Sequence, residues 1–501
     1  MKTSLPIRIA FLTCLISGFG LTKLPAANYS WSTGVANTKW TSTTAWTPNG
    51  TPGASDNIIG NSTAQMLIDG NQAVNNWSRS GNNLTVVADT GVNSLAIHGV
   101  LSNTSGILTL RDSTTNTLSL NINTLNVDGG TVRLGFNSTG LTGFTATNAT
   151  IGGGTFNSFM VEGGTATIQN LSLTNAASVV NIRYNSNATT TTGTGTLRVN
   201  SLSGTTGTIR ALDASDNAVL GILSIQSTGS ASYSGLIANR SSGTNGVLRV
   251  AKSGTGTQVF GGNNTYSGGT SITAGTLVLA HNNAAGTGGV TIDGGNLRVA
   301  SGVTVANTIS FGGSGGRLSG GGTVGSAVVL TNVNQTLAPG ESPGILNFAV
   351  SESWDAFTYQ WELNDWTGTT AGTNFDRIAI TGGLDLTGDS AGSYILDITS
   401  LTLSNVAGLV GNFTDADNSW TILTTTSGIT GFNASYWNIV TANFSSSPAA
   451  TGNWSLALGN GGNDLVLSYS VVPEPRTTAL AVAGLCLLLW RSRRVLARRK
   501  D

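Results

Sequence analysis

Cysteine is nearly absent from this chain. Its two cysteines, Cys14 and Cys486, both lie in apolar segments close to the termini, so the long segment between them has none. Disulfide bonds and thiolate metal sites therefore cannot stabilise that segment. Charge is also scarce, since only 9% of the residues are charged while 39% are hydrophobic. This balance argues against a solvated, disordered chain and favours a folded one.

Basic residues are few between residues 28 and 471. This segment has 13 basic and 21 acidic residues, a formal charge of −8. A protein that binds nucleic acid needs a basic patch to neutralise phosphates. We therefore expect no nucleic-acid partner.

The last thirty residues carry an ordered set of signals. Pro473, Glu474 and Pro475 are followed by an uncharged stretch from 477 to 490. A helix over 479–490 would span about 18 Å at 1.5 Å per residue, so flanking residues would have to help it cross a hydrocarbon layer of roughly 30 Å. A basic cluster can help by reaching the interface, and it would keep the extreme C-terminus in the cytoplasm. This cluster consists of Arg491, Arg493, Arg494, Arg498, Arg499 and Lys500.

The order of motif, short apolar helix and terminal arginines resembles the PEP-CTERM sorting domain of exported bacterial proteins, here over residues 472–501. The resemblance implies that a membrane protease, exosortase, cuts near Pro473-Glu474-Pro475 and releases the protein to the cell surface or to extracellular polysaccharide. The alternative is a plain tail anchor, which has the same orientation but keeps its helix.

The N-terminus predicts export. Lys2 and Arg8 precede an apolar run from 9 to 21, and the small residues Ala26 and Ala27 follow. This is the pattern of a secretory signal peptide, so we expect residues 1–27 to form a signal helix that the Sec machinery recognises and that is then removed. A lipoprotein signal at Cys14 is disfavoured, because no small residue precedes this cysteine and it lies inside the apolar run.

A glycine followed by an alternating strand recurs along the chain. The third and fifth positions of each unit are apolar and its second and fourth are mostly polar, which predicts half-buried strands with Arg133 and Arg298 on the solvent face. One unit cannot bury its apolar face alone, so neighbours must stack. We therefore predict an all-β protein, a right-handed parallel β-helix over residues 60–345 with glycines at its corners. The units lie at 130–134, 164–168, 195–199, 246–250, 275–279 and 295–299.

One segment, residues 261–277, reads Gly-Gly-Asn-Asn-Thr-Tyr-Ser-Gly-Gly-Thr-Ser-Ile-Thr-Ala-Gly-Thr-Leu. It resembles the autotransporter-associated β-strand repeat, which implies the β-helical passenger region of a surface protein. This is the only clear copy in the sequence, and the others are degenerate.

Tryptophans mark the start of the mature chain. Trp31, Trp40 and Trp46 lie in a segment, 28–59, that is similar to the Trp-rich opening of such proteins. They are interpreted as a cap over the first coil, whose open strand edges would otherwise favour aggregation. The alternative is a set of stacking platforms for sugars.

Acidic residues concentrate in the β-rich segment 346–470. Between 351 and 470 there are eleven acidic residues and one basic residue, Arg377. We expect either a wider end of the helix or a small sandwich here. Paired carboxylates could hydrolyse glycosides, and Asp415 and Asp417 could bind Ca²⁺ weakly, but neither pattern is specific. Solvated acidic strand faces are the favoured interpretation. The two histidines, His98 and His281, lack a second ligand nearby in sequence, so we predict neither a metal nor another cofactor.

Two functional classes remain open. The favoured one is a non-catalytic structural or adhesin-like protein, displayed on the cell surface or in the extracellular matrix and associated with exopolysaccharide. The alternative is a polysaccharide-acting β-helix enzyme, a lyase or a glycoside hydrolase. A fold alone does not imply activity, and lyases for anionic sugars need clustered basic residues that this sequence lacks.

Overall fold

The computed structural model describes residues 26–31, 37–60, 65–113, 115–135, 141, 143–160, 165–184, 192–211, 218–240, 246–387, 390–471 and 486–490. The predicted signal helix lies outside these residues apart from 26 and 27. The predicted sorting segment lies outside them apart from 486–490, which are helical.

The described residues are predominantly strands. The first half of the chain contains β1 (Asn28–Trp31), β2 (Thr38–Lys39), β3 (Trp46–Thr47), β4 (Asn57–Ile59), β5 (Gln65–Ile68), β6 (Asn71–Val74), β7 (Asn76–Arg79), β8 (Leu84–Ala88), β9 (Val92–Asn103), β10 (Ile107–Arg111), β11 (Thr117–Val127), β12 (Thr131–Leu134), β13 (Gly143–Ile151), β14 (Thr155–Met160), β15 (Thr165–Leu173), β16 (Val179–Tyr184), β17 (Thr192–Ser203), β18 (Thr208–Ala211), β19 (Ala218–Gln226), β20 (Ser230–Tyr233) and β21 (Leu236–Ala238).

The second half continues with β22 (Gly246–Ser253), β23 (Thr257–Phe260), β24 (Thr270–Ile272), β25 (Thr276–Leu279), β26 (Val290–Ile292), β27 (Asn296–Val299), β28 (Thr304–Val305), β29 (Ile309–Phe311), β30 (Gly316–Gly320), β31 (Thr323–Val324), β32 (Leu330–Pro339), β33 (Ile345–Phe348), β34 (Glu352–Leu363), β35 (Arg377–Ile380), β36 (Leu384–Asp385), β37 (Tyr394–Ser400), β38 (Asn418–Thr425), β39 (Ile429–Thr430), β40 (Trp437–Val440), β41 (Asn453–Gly459) and β42 (Asp464–Ser470). Short 3₁₀ turns lie at Thr43–Ala45, Ala434–Tyr436 and Asn460–Gly462.

Four sheets organise these strands. Sheet A has 15 strands in the order β29-β26-β24-β22-β19-β17-β15-β13-β11-β9-β7-β4-β1-β3, with β6 beside β9. Sheet B has nine, β2-β5-β8-β10-β12-β14-β16-β18-β21. Sheet C has 11, β20-β23-β25-β27-β30-β32-β34-β36-β39, with β37 and β40 joined to it through β34. Sheet D has seven, β28-β31-β33-β35-β38-β42-β41.

The chain winds as a parallel solenoid. From β11 to β18 it alternates between sheets A and B, and each strand pairs in parallel with the equivalent strand of the next coil. Paired residues are 20 positions apart at Ile272 and Ile292 and 31 apart at Ile168 and Val199, so coil length varies. The predicted all-β, parallel β-helical class is confirmed. Its right-handedness stays a prediction from the general rule for parallel crossovers.

The alternating pattern places apolar side chains inside. Val132, Leu134, Leu297 and Val299 are all fully buried. Complete burial of such a side chain stabilises the fold by about 1.5–3 kcal/mol relative to exposure. The prediction that the intervening arginines lie on the solvent face is only half right. Arg133 and Arg298 are intermediate in exposure, and Arg298 forms an ion pair of 2.8 Å with Glu341.

Glycines serve two purposes along the coils. Gly130 adopts φ of 63° at a corner, where an added Cβ would lie 2.3 Å from the carbonyl oxygen of Gly106 in the preceding coil. Only glycine fits both this backbone conformation and this close approach. Gly195 differs from the prediction, because it lies inside β17 rather than at a corner.

The N-terminal tryptophans form one buried cluster. Trp46 makes edge-to-face contacts with Trp31 and Trp40, with ring centroids 4.7 and 5.0 Å apart, and Trp40 also contacts Trp77 of β7. The Trp46 indole donates to the carbonyl oxygen of Trp40 at 2.9 Å. Buried rings cannot stack on sugars, so the structure favours the cap over the sugar platform.

The solenoid passes through the predicted boundary at residue 345 without a break. Strands β30, β32 and β34 continue sheet C in parallel, as β31, β33 and β35 continue sheet D. The acidic segment thus begins as further coils, the first of the two arrangements expected. Antiparallel pairing among the described strands occurs near the ends of the sheets, between β1 and β3 and between β42 and each of β38 and β41.

Candidate functional site

The residues predicted to direct sorting all lie outside the described part of the chain. They are Pro473, Glu474, Pro475, Arg491, Arg493, Arg494, Arg498, Arg499 and Lys500. Within the described residues, no helix has both the length and the apolar character needed to cross a membrane. The structure therefore leaves the sorting signal and the predicted transmembrane helix untested.

The repeat segment 261–277 forms a corner whose polar groups are used internally. Tyr266 is fully buried, and its hydroxyl lies 2.6 Å from Oγ1 of Thr270. Burial raises the pKa of the Tyr266 phenol above its usual range, so this group stays protonated. The tyrosine and threonine of the repeat thus close the corner around a buried hydrogen bond.

The buried Asn264 joins three successive coils. Its side-chain oxygen accepts from the backbone N–H of Ile237 at 2.8 Å, and its amide nitrogen donates to the carbonyl oxygen of Ala284 at 2.7 Å. These two groups belong to the coils before and after Asn264. Buried backbone groups need partners, so this side chain replaces a pair of sheet bonds that the corner cannot make.

The next coil repeats this corner with a smaller residue. Register pairing of Thr270 with Val290 and of Ile272 with Ile292 aligns Gly286 with Tyr266. A Cβ on Gly286 would lie 2.2 Å from the carbonyl oxygen of Tyr266. Glycine here lets the second corner pack directly on the first.

Lys252 is a buried cation without a carboxylate partner among the described contacts. It is 1% exposed, and its ammonium donates to the carbonyl oxygens of Ser253, Gly254 and Ala274 at 2.8, 3.0 and 3.1 Å. Burial lowers the pKa of Lys252 to about 8. The three carbonyls belong to two stacked turns, so the ammonium links those turns.

A buried carboxylate holds the turn at 339–344. Asp376 is fully buried, and its two oxygens accept from the backbone N–H groups of Gly344 at 2.7 Å and Glu362 at 3.0 Å. Burial raises the pKa of Asp376 well above its usual range, and repulsion from Glu362 adds to this shift, while the two backbone donors and Arg317 oppose it. Because both oxygens are occupied and shielded from solvent, this carboxyl fixes backbone position.

A second buried acid lies at the start of β34. Glu352 is 3% exposed, and its Oε2 accepts from the backbone N–H of Val328 at 2.9 Å and from the Trp354 indole at 3.2 Å. Burial raises the pKa of Glu352 to about 7, against these two hydrogen bonds that lower it. Its other oxygen, Oε1, is buried without a hydrogen-bond partner.

The candidate calcium ligands are engaged by protein donors. Asp415 accepts from the hydroxyl of Thr451 at 2.6 Å and from the phenol of Tyr469, and hydrogen bonding lowers the pKa of this carboxyl. Asp417 accepts from the backbone N–H of Val471 at 2.8 Å. Among the described residues, no group of three or more His, Cys, Asp or Glu side chains could hold a metal ion. These bonds tie residues 415–417 to segments that lie 36 and 54 residues later in the chain.

The two histidines have different settings. His281 accepts at Nδ1 from the backbone N–H of Asn283 at 3.1 Å and so belongs to a turn. His98 is exposed on sheet A, where it lines a shallow groove of about 550 Å³. We call this surface the polar groove, because five polar side chains line it, one from each of the long strands β9, β11, β13, β15 and β17. In that order they are His98, Asn123, Thr147, Gln169 and Asn200.

These features define a class of protein, the parallel β-solenoid. Its buried polar groups link neighbouring coils, and its outer face carries an uncharged groove. Two stretches of the solenoid, residues 250–279 and 274–299, match the family model of the passenger-associated-transport-repeat. The match indicates an extracellular, passenger-like region. No curated protein matches the chain.

The family match supports the predicted repeat and adds a second stretch to it. The clear copy, 261–277, lies within the first matched stretch, 250–279, and the second match covers 274–299. The second copy is degenerate, because Gly286 and Val290 replace the tyrosine and threonine of the first. The structural roles of Lys252, Asn264 and Asp376 were not predicted. Two of these residues carry a signal in the sequence: Asn264 belongs to the repeat segment 261–277, and Lys252 occupies the position of Ile272 in the aligned repeat.

Proposed function

We propose that this chain is an exported structural or adhesin-like protein of the cell surface or extracellular matrix, sorted by exosortase and associated with exopolysaccharide. The passenger-type repeat at 250–299 is the observation that carries the proposal. The sequence adds an N-terminal export signal and the Pro473-Glu474-Pro475 motif before an apolar stretch and a basic end. The proposed partners are the Sec machinery, exosortase and extracellular polysaccharide, with the membrane as a transient anchor.

The described chemistry supports a structural role. Asp376, Asp415 and Lys252 each use their ionisable groups in hydrogen bonds that hold separate parts of the fold together. A catalytic carboxyl must reach its substrate, whereas Asp376 is fully buried with both oxygens bonded to backbone. No described arrangement specifically favours the polysaccharide-acting enzyme, so we propose a non-catalytic protein.

Intact mass and fractionation of the protein from its native cells test the proposal. We expect a form that begins near Asn28, ends near Val472 and lies outside the cytoplasmic membrane. Replacing Pro473, Glu474 and Pro475 by alanine should leave the protein in the membrane fraction. Unchanged release of that variant would refute sorting at this motif, and a native form that keeps residues 479–501 would make the protein a tail-anchored one.

A further inference from the structure

The outer face of sheet A presents a series of matched polar positions. One outward-facing series runs through consecutive coils as Asn121, Thr145 and Thr167 and reaches Arg198 in the next coil. A second runs as Thr124, Asn148, Asn170 and Ser201. Parallel strands are separated by about 4.8 Å, so each series repeats its hydrogen-bonding groups at that interval. The polar groove lies between the two series.

The groove extends beyond a single depression. A first part, about 550 Å³, is lined by residues of β9, β11, β13 and β15 and ends at Gln169. Its lining also includes the apolar residues Ala96, Ile97, Ile122 and Ala146. A second part, about 380 Å³, begins at the same Gln169 and continues past Asn200 to Ser230. The two parts are neighbouring depressions that share Gln169 in their lining.

The groove is uncharged along its described lining. His98 is the only ionisable side chain that lines the first part, and none lines the second. Arg198 is exposed on the same face without being part of the lining. A lining without charge does not select phosphate, sulfate or carboxylate groups, which are recognised by arginine, lysine or backbone N–H clusters. It does suit a neutral ligand with many hydroxyl groups.

Side-chain ladders orient the amides. Asn170 donates from Nδ2 to Oδ1 of Asn148 at 3.0 Å, and Asn200 donates in the same way to Oε1 of Gln169. An amide has two donor hydrogens and a carbonyl with two lone pairs, so one ladder bond leaves further donors and acceptors facing solvent. Fixing these side chains before binding lowers the entropy lost when a ligand is bound.

We propose that the polar groove binds an extended chain of a neutral polysaccharide. This proposal rests on the proposed extracellular function and specifies the class of ligand. Sugar hydroxyls both donate and accept, so they can match the exposed groups of the amide ladders. Aromatic platforms are absent from the described lining, so each sugar contributes weakly and affinity arises from many coils engaging one polymer. Peptide partners usually add to sheet edges. The first part of the groove lies on the face of sheet A, whereas the second part also reaches Ser230 and Ala231 of β20, the end strand of sheet C.

Co-sedimentation of the full chain with insoluble polysaccharides tests the proposal. The neutral probes are cellulose, curdlan, agarose and starch granules, and alginate serves as the charged probe. Thr147→Arg places a long side chain across the groove, and Asn123→Ala with Gln169→Ala removes two of its amides. Thr381→Arg is the matched control, because Thr381 is also exposed but lies after β35 on sheet D.

We expect at least one neutral polysaccharide to retain the parent protein and the Thr381→Arg variant equally. Thr147→Arg should weaken retention by about tenfold or more, and the double alanine variant should weaken it less, since a multivalent site loses affinity steeply when simultaneous engagement is blocked. Far-UV circular dichroism of each variant checks that the fold is kept.

Three results would refute binding of a neutral polysaccharide in the polar groove. The first is that no neutral polysaccharide retains the parent, and the second is that Thr147→Arg binds like the parent. The third is that retention is confined to alginate and disappears in concentrated salt. Fractionation of the same variants separates this failure from that of the proposed function. If Thr147→Arg reaches the cell surface but binds like the parent, the surface role stands and the groove is refuted.

Discussion

Lys252 is paired in register with Ile272 of the next coil, so a buried ammonium occupies a position where the neighbouring coil has an aliphatic side chain. The preceding coil places Ile225 at the same position. Isoleucine at this point packs without polar partners, whereas Lys252 reaches the carbonyl oxygens of two stacked turns. The charge remains buried without a carboxylate nearby, which is the cause of its lowered pKa.

This burial predicts a stability that depends on pH. The pKa of Lys252 is about 8 in the folded protein and 10.5 in the unfolded one, so the cost of burying the charge is fully present below pH 8. It disappears as the pH rises from 8 towards 10.5. Relative to a Lys252→Met variant, the parent should gain about 2 kcal/mol of unfolding free energy between pH 7 and pH 9.5.

Urea unfolding of both proteins at the two pH values measures this gain. The comparison with Lys252→Met cancels other groups that titrate in this range, among them Arg79, whose pKa burial lowers to about 10. A difference between the two proteins that does not change with pH would show that the ammonium is not buried in solution.

Asn264 should be among the most sensitive positions of the repeat. Asn264→Ala leaves the N–H of Ile237 and the carbonyl of Ala284 unpaired inside the corner, at a cost of about 2–3 kcal/mol. The adjacent Asn263 is exposed and accepts one bond from Asn283, so Asn263→Ala should cost less than about 0.5 kcal/mol. Thermal unfolding of the two variants tests the contrast, and equal losses would contradict it.

Local patterns were sufficient to predict the strands and their buried faces. Val132 and Leu134 follow the alternation of one short segment, and the structure buries both. The class of fold followed because such half-buried strands must stack. The role of Asn264, by contrast, depends on coils that lie 20 or more residues away in sequence.

Contacts over long sequence separations were beyond prediction. Asp376 receives its donors from positions 32 and 14 residues earlier, and no spacing rule links them. Arg298 was placed on the solvent face by its strand pattern, yet Glu341 of a later coil pairs with it. The polar groove was also missed, since it exists only once the register brings Gln169 beside Asn200.

Glu352 predicts a pH effect of the opposite sign. Its pKa is about 7 when folded against 4.5 when unfolded, so the buried carboxylate costs nothing at low pH and destabilises the fold as pH rises from 4.5 to 7. A Glu352→Gln variant cannot ionise. Relative to that variant, the parent should lose about 2 kcal/mol of unfolding free energy between pH 5 and pH 8.

Chemical unfolding at pH 5 and pH 8 measures this difference. The buried Asp376 and the partly buried Glu362, whose pKa values are also raised, are common to both proteins. Asp385→Asn is a useful control, because hydrogen bonds lower the pKa of Asp385, whereas burial raises that of Glu352. That variant should not reproduce the loss. If the difference in unfolding free energy between the parent and Glu352→Gln stays constant over this range, Glu352 is protonated to the same extent in the folded and unfolded states.

Two glycines with similar backbone conformations allow the cost of backbone strain to be measured separately from the cost of steric crowding. Gly286 has φ of 66° and Gly302 has φ of 78°. A Cβ on Gly286 would lie 2.2 Å from the carbonyl oxygen of Tyr266, whereas nothing lies within 4 Å of a Cβ on Gly302. Both alanine variants bear the strain of a positive φ, about 1 kcal/mol.

Gly286→Ala must also push apart two stacked repeat corners, so it should cost about 3 kcal/mol, against about 1 kcal/mol for Gly302→Ala. Thermal unfolding of the two variants should therefore show a clearly larger loss for Gly286→Ala. Limited proteolysis would place that loss within the repeat region, since disturbed corners expose backbone to cleavage. Equal losses would mean that the corners at Tyr266 and Gly286 are not in direct contact, which would remove the physical reason why the second repeat has glycine in place of the tyrosine.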